Sequence, residues 1–168
     1  TSSATAVVVN VNDAGSIAIT GTATQGQTLS TTITDPDGVP ASGITYQWKA
    51  DGTNISGATG ATYTLTNAEV GKAITVVANY TDSRSSPETV TSLATGAVTN
   101  ANDAGSIAIS GTATQGQTLT TNITDPDGVP ASGITYQWKA DGTNIAGATS
   151  STYTLTNAEV GKAITVVA

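Results

Sequence analysis

The sequence predicts an all-β protein made of tandem β-sandwich domains that fold without disulfides. Three observations lead there. Apolar residues alternate with polar ones in short runs, and Gly, Pro, Asn and Asp separate the runs. A block of the chain also returns almost unchanged at an offset of 90 residues. Finally, among 168 residues there is no Cys, so no covalent staple is available.

The elements follow in order along one repeat. Ser16 to Thr20 places Ile17 and Ile19 on one face, and Thr28 to Thr34 does the same with Leu29 and Ile33. Ile44, Tyr46 and Trp48 share a face of the third strand, opposite Thr45, Gln47 and Lys49. Trp48 and Tyr46 at alternating positions are expected in the core. Tyr63 and Leu65 mark a short strand, and Ile74, Val76, Ala78 and Tyr80 line a long one. A last strand is expected within 88–99 with Val90, Leu93 and Val98. Turn residues fall between them, among them Asp35-Pro36-Asp37-Gly38 and Asp51-Gly52; Asn67 to Gly71 suits one helical turn. Abundant Thr suits the solvent face of a pleated sheet. Six or seven short strands in about 90 residues is the arithmetic of an immunoglobulin-like sandwich.

The repeat sets the domain organisation. Residues 12–78 and 102–168 differ at 6 of 67 aligned positions: 20, 30, 32, 56, 60 and 61 in the first copy. A period this long suits whole domains in a row rather than a one-hairpin solenoid. Thr1-Ser2-Ser3-Ala4-Thr5 matches Thr91-Ser92-Leu93-Ala94-Thr95. The expected layout is therefore the last strand of a preceding repeat plus linker over 1–11 and a complete repeat over 12–101. A second repeat, stopping before its last strand, then covers 102–168.

The segments Gly-Thr-Ala-Thr-Gln-Gly-Gln-Thr-Leu, Asp-Pro-Asp-Gly-Val-Pro, Ile-Thr-Tyr-Gln-Trp, Thr-Tyr-Thr-Leu-Thr and Glu-Val-Gly-Lys-Ala-Ile-Thr-Val occur together in each copy. In combination they resemble the Ig-like tandem repeats that form the extender regions of giant bacterial surface adhesins of the RTX type. The resemblance spans essentially the whole chain. It implies a secreted or cell-surface setting, a disulfide-free sandwich, and a role in cell adhesion, biofilm or extracellular fibre as structural protein rather than catalyst.

The densest acids are Asp35 and Asp37, with Asp125 and Asp127 in the second copy. The loop holding them is expected beside the linkers, which carry Asp13 and Asp103. Carboxylate and amide oxygens gathered there suit Ca²⁺, which takes six to eight oxygen ligands. Some adhesin extenders are similar in using calcium to stiffen the string. Asp13, Asp35, Asp37, Asp103, Asp125 and Asp127 are thus candidate calcium ligands at domain junctions, and Glu69 is a candidate to reach the next junction. The plain alternative is that Asp-Pro-Asp-Gly is simply a good turn. No cofactor is otherwise indicated.

Composition removes other classes. With no His and no Cys, neither a Ser-His-Asp nor a Cys-His arrangement assembles from this chain. Two acids at i and i+2 in an exposed turn suit solvation better than a tuned catalytic pair, so no enzymatic activity is expected. A formal charge of −7 argues against nucleic acid, and apolar runs such as Ala6-Val7-Val8-Val9 are too short for membrane insertion. Arg84, in the loop before Pro87, is expected as a solvated charge. The leading reading is a structural spacer, whose partners are neighbouring repeats of the same array. Its rivals are a filament subunit linked head to tail by strand donation, and a module binding carbohydrate or protein.

Overall fold

The structure is a computed structural model that describes residues 1–168. It divides into two compact units, Thr1–Ala101 and Asn102–Ala168. In the first unit, β1 (Ser16–Thr20), β2 (Thr28–Thr34) and β5 (Thr62–Thr64) form one antiparallel sheet in the order β1-β2-β5. The second sheet joins β3 (Thr45–Ala50), β4 (Thr53–Asn54), β6 (Ile74–Thr81) and β7 (Pro87–Thr91) in the order β4-β3-β6-β7. Strands one, two and five on one sheet, with three, six and seven on the other, is the strand distribution of an immunoglobulin-like sandwich. Asn67–Glu69 forms a single 3₁₀ turn between β5 and β6.

Each sheet turns its alternate residues inward. Ile17 and Leu29 from the first sheet meet Trp48, Ile74, Val76, Ala78, Tyr80 and Val90 from the second. Trp48 is fully buried, tilts against Tyr63 at 6.0 Å between ring centroids, and donates its indole N–H to Gly60 O at 2.9 Å. The one polar atom of the largest core side chain is thereby satisfied, as burial requires. Outward positions carry hydroxyl pairs across the strands. Ser16 and Thr34 Oγ meet at 2.8 Å, and Thr28 and Thr64 at 2.8 Å. Threonine therefore stitches the sheet surface without charge.

The last strand departs from its expected course. It spans Pro87–Thr91, and Leu93 is 91% exposed rather than in the core. The cause is local. Ser92 N donates to Val76 O while Ser92 Oγ accepts from Val76 N, and Thr95 repeats the arrangement with Ile74. Three residues of the outer segment thus pass two of β6, and the extra one turns Leu93 outward, as a bulge does. The segment re-enters further on, where Val98 is buried and Thr99 N bonds Ala23 O. Residues 1–15 make no strand, and Val7, Val8, Val9 and Val11 are exposed.

The second unit repeats the plan with β8 (Ser106–Ser110), β9 (Thr118–Thr124) and β12 (Thr152–Thr154) in the order β12-β9-β8. Facing them in sequence role, β10 (Gln137–Ala140), β11 (Thr143–Asn144) and β13 (Ile164–Val167) run β11-β10-β13. Its core gathers on Trp138, which tilts against Tyr153 at 5.9 Å between ring centroids and donates its indole N–H to Ser150 O. Strand β10 starts two residues later than β3, because Thr45 and Tyr46 pair with Asn79 and Ala78 in the first unit. The match of Asn79 lies beyond residue 168 and that of Ala78 is the final residue.

Candidate functional site

The Asp-Pro-Asp-Gly turn follows β2 directly. Asp37 N donates to Asp35 Oδ1 at 2.8 Å, and Gly38 N closes the turn on Asp35 O at 3.0 Å, with Gly38 at φ +99°. Proline presets the first bend and glycine takes the left-handed position, which is why this tetrapeptide turns here. Up to this point the plain turn reading and the structure coincide.

The acids themselves are not solvated as expected. Asp37 is 7% exposed. Its Oδ2 accepts from Asp13 N at 2.8 Å and from Asn10 Nδ2 at 3.3 Å, while Arg84 Nε lies 3.3 Å from its Oδ1. Asp37 therefore pins the incoming linker to the domain, and Arg84, expected as a free loop charge, is its counter-ion. Asp13 contributes its backbone N–H, and its side chain is exposed. The second unit repeats the device: Asp103 N bonds Asp127 Oδ2 at 2.7 Å, and Asp127 N bonds Asp125 Oδ1 at 2.8 Å. Each linker thus binds the loop of its own repeat. Glu69, considered for the next junction, is buried with its Oε2 accepting from Thr66 N and Oγ1 as a capping box.

Asp35 belongs to a different group. Its Oδ2 accepts from Tyr80 Oη at 2.7 Å, and it comes together with Asp82 and Glu88 so that one oxygen from each lies within 4.8 Å of the others. Asp82 and Glu88 stand on either side of the turn joining β6 to β7. Asp82 Oδ1 accepts from Arg84 N and Ser86 N, both at 2.8 Å, shaping a turn that passes through Ser85 at φ +73°. Asp82 Oδ2 is buried and has no hydrogen-bond partner. Glu88 pairs across the hairpin with Tyr80, and its Oε1 accepts from Asn12 Nδ2 at 2.6 Å. The negative charge here is felt by Tyr80. Burial first, then the hydrogen bond to Asp35 and the charges of Asp35, Glu88 and Asp82, push its phenol well above the usual tyrosine range.

Asp82 and Glu88 were not among the residues singled out from the sequence, although a signal existed. Ile74, Val76, Ala78 and Tyr80 set the inward phase of β6; Asp82 continues that phase, and Glu88 shares the inward phase of β7 with Val90. A carboxylate on the core phase of a strand is out of place unless something compensates it.

No family model matches the sequence, and no curated protein matches it either. Among solved structures there is a distant likeness. The three N-terminal domains of the bacteriophage RB49 highly immunogenic outer capsid protein (Hoc) align with 17% identity and a TM-score of 0.38, over 92% of this chain. The chain spans 58% of that structure's length.

Proposed function

We propose that this chain is a spacer: a run of sandwich repeats in a secreted or cell-surface bacterial protein, whose product is reach and stiffness. The observation that carries the reading is the repeat itself. At an offset of 90, 61 of 67 residues are identical, and both copies build the same two-sheet scaffold around one tryptophan. Ligand-binding loops that had diverged to meet different partners would differ between copies; the long loops over 35–44 and 125–134 are the same. Paired hydroxyls in place of charge line the outer faces of the sheets, which leaves little to attract other molecules. The partners of each repeat are then its neighbours in the array.

The test is dimensional. A strand of ten residues rises roughly 34 Å, so each added repeat lengthens a stiff chain by on the order of 40 Å. Small-angle scattering on chains of one, two and four repeats measures this directly. A maximum dimension growing in equal steps supports the spacer; a particle that stays compact as repeats are added overturns it.

A further inference from the structure

We infer that Asp35, Asp82 and Glu88 form a binding site for one calcium ion, seated between the turn after β2 and the β6–β7 hairpin. The inference stands whether or not the repeats act as spacers. It shares Asp35 with the ligand set expected from sequence but not Asp37, whose carboxylate accepts from Asp13 N and pairs with Arg84.

Three features converge. The first is spacing. Two ligand oxygens on opposite sides of a calcium ion, each at about 2.3–2.6 Å, stand about 4.6–5.2 Å apart. The three carboxylate oxygens, all within 4.8 Å of one another, fit that sphere as they stand. The second is an atom without a partner. Asp82 is 5% exposed, its Oδ1 is taken by two backbone N–H groups, and its buried Oδ2 is unpaired. A buried carboxylate oxygen in that state is costly unless a cation meets it. The third is charge. Asp82 and Glu88 are buried and Asp35 is half-buried. The nearby Arg84 reaches Asp37 instead, with its own side chain 58% exposed. Three carboxylates crowded in low-dielectric surroundings repel one another, and a divalent hard cation reverses the sign of that interaction.

The surroundings supply further oxygens. Asn12 lies on Glu88 through its amide, and rotating that amide by half a turn presents Oδ1 in place of Nδ2. Calcium would then draw on the linker, the β2 turn and the β6–β7 hairpin together. Removal of the ion would loosen the entry of the chain into the repeat. Magnesium fits less well, since it demands near-ideal octahedral geometry at 2.0–2.1 Å and keeps its waters.

Titration calorimetry of the 168-residue chain with calcium chloride tests the site, alongside thermal unfolding followed by Trp48 fluorescence in a Trp138→Phe background. The expected result is one ion per chain and a rise of about 5–10 °C in the Trp48 transition at saturating calcium. Asp82→Asn keeps the acceptor for Arg84 N and Ser86 N but removes the charge. It is expected to unfold, without calcium, at or above the parent temperature, and to lose the calcium response. Glu88→Gln, which keeps an acceptor for Asn12, is expected to weaken binding at least tenfold and serves should Asp82→Asn fail to fold. Absence of both heat and shift at millimolar calcium overturns the site. So does an undiminished response in Asp82→Asn or Glu88→Gln, or an equal shift with magnesium chloride.

Discussion

Gly15 shows how closely the acidic end of the first repeat is packed. A methyl group built at its Cα would overlap Tyr80 Oη and stand 2.8 Å from Asp35 Oδ2. The glycine is required by contact alone, since only a bare backbone lets the linker pass over the Tyr80–Asp35 hydrogen bond. Gly15→Ala is expected to destabilise the first unit by about 1–3 kcal/mol, the usual cost of overpacking. In a Tyr80→Phe background the hydroxyl is gone while the contact with Asp35 Oδ2 remains, so the same change should cost less. Urea unfolding of the four chains in this cycle measures the coupling; additive effects would show that Tyr80 is not what Gly15 makes room for. This contact was invisible in the sequence, where Gly15 sits in an unremarkable Asp-Ala-Gly-Ser run. Glycine is common in turns for its freedom at positive φ, and nothing local distinguishes a glycine kept for space. Asp35 and Asp37 were legible because their turn is written in four adjacent residues. Asp82 and Glu88 stand alone among uncharged neighbours, apart from Arg84, and only the strand face they occupy marks them out.

Between β12 and β13, Thr156 and Glu159 form a capping box: Glu159 Oε2 accepts from Thr156 N at 2.8 Å and Thr156 Oγ1 at 2.7 Å, while Ala158 N donates back to Thr156 Oγ1. Hydrogen bonds from the Thr156 hydroxyl first, then from its backbone N–H, hold the Glu159 carboxyl below its ordinary 4.5. A carboxyl depressed in the folded state adds stability above its unfolded value, and that stability is lost as pH falls below about 4.5. Thr156→Ala removes the leading cause. The second unit should then lose less of its stability between about pH 6 and pH 3.5 than the parent does, read by Trp138 fluorescence in a Trp48→Phe background. An unchanged acid dependence would show that the box does not set it. The one helical turn expected near Asn67 had the right place, since the sequence Thr-Asn-Ala-Glu is itself a capping signature. The first two strands also matched the expected Ser16–Thr20 and Thr28–Thr34, because period-two alternation is a local property. Leu93 was misplaced for the opposite reason. The slip at Ser92 depends on side-chain hydroxyls replacing a ladder bond with β6, a pairing that no local pattern reveals.

At the scale of the whole chain, near-identical sequences meet unequal surroundings, and the two units need not share one stability. In the first, β7 and the segment after it pair along the edge of β6, Val90 and Val98 join the core, and Ile74, Val76 and Ala78 are fully buried. In the second, the matching Ile164 and Val166 are only half-buried, Val167 is 51% exposed, and the buried core is Leu119, Trp138, Ala148 and Leu155. Burial of apolar area is the main favourable term in folding, at roughly 25 cal/mol per Å², so the difference favours the first unit. Each unit carries one tryptophan, which makes the inequality measurable. Thermal unfolding watched through Trp138 in a Trp48→Phe chain should occur well below unfolding watched through Trp48 in a Trp138→Phe chain. Adding the residues of 79–101 after Ala168 supplies the second unit with its own copies of the β7 segment and the Val98 return. The two transitions should then converge, with the Trp138 midpoint moving up and the Trp48 midpoint staying in place. Coincident transitions in the 168-residue chain would mean that the two units unfold as one cooperative body. Failure of the added segment to raise the Trp138 midpoint would mean that β7 and its return are not what stabilises a repeat.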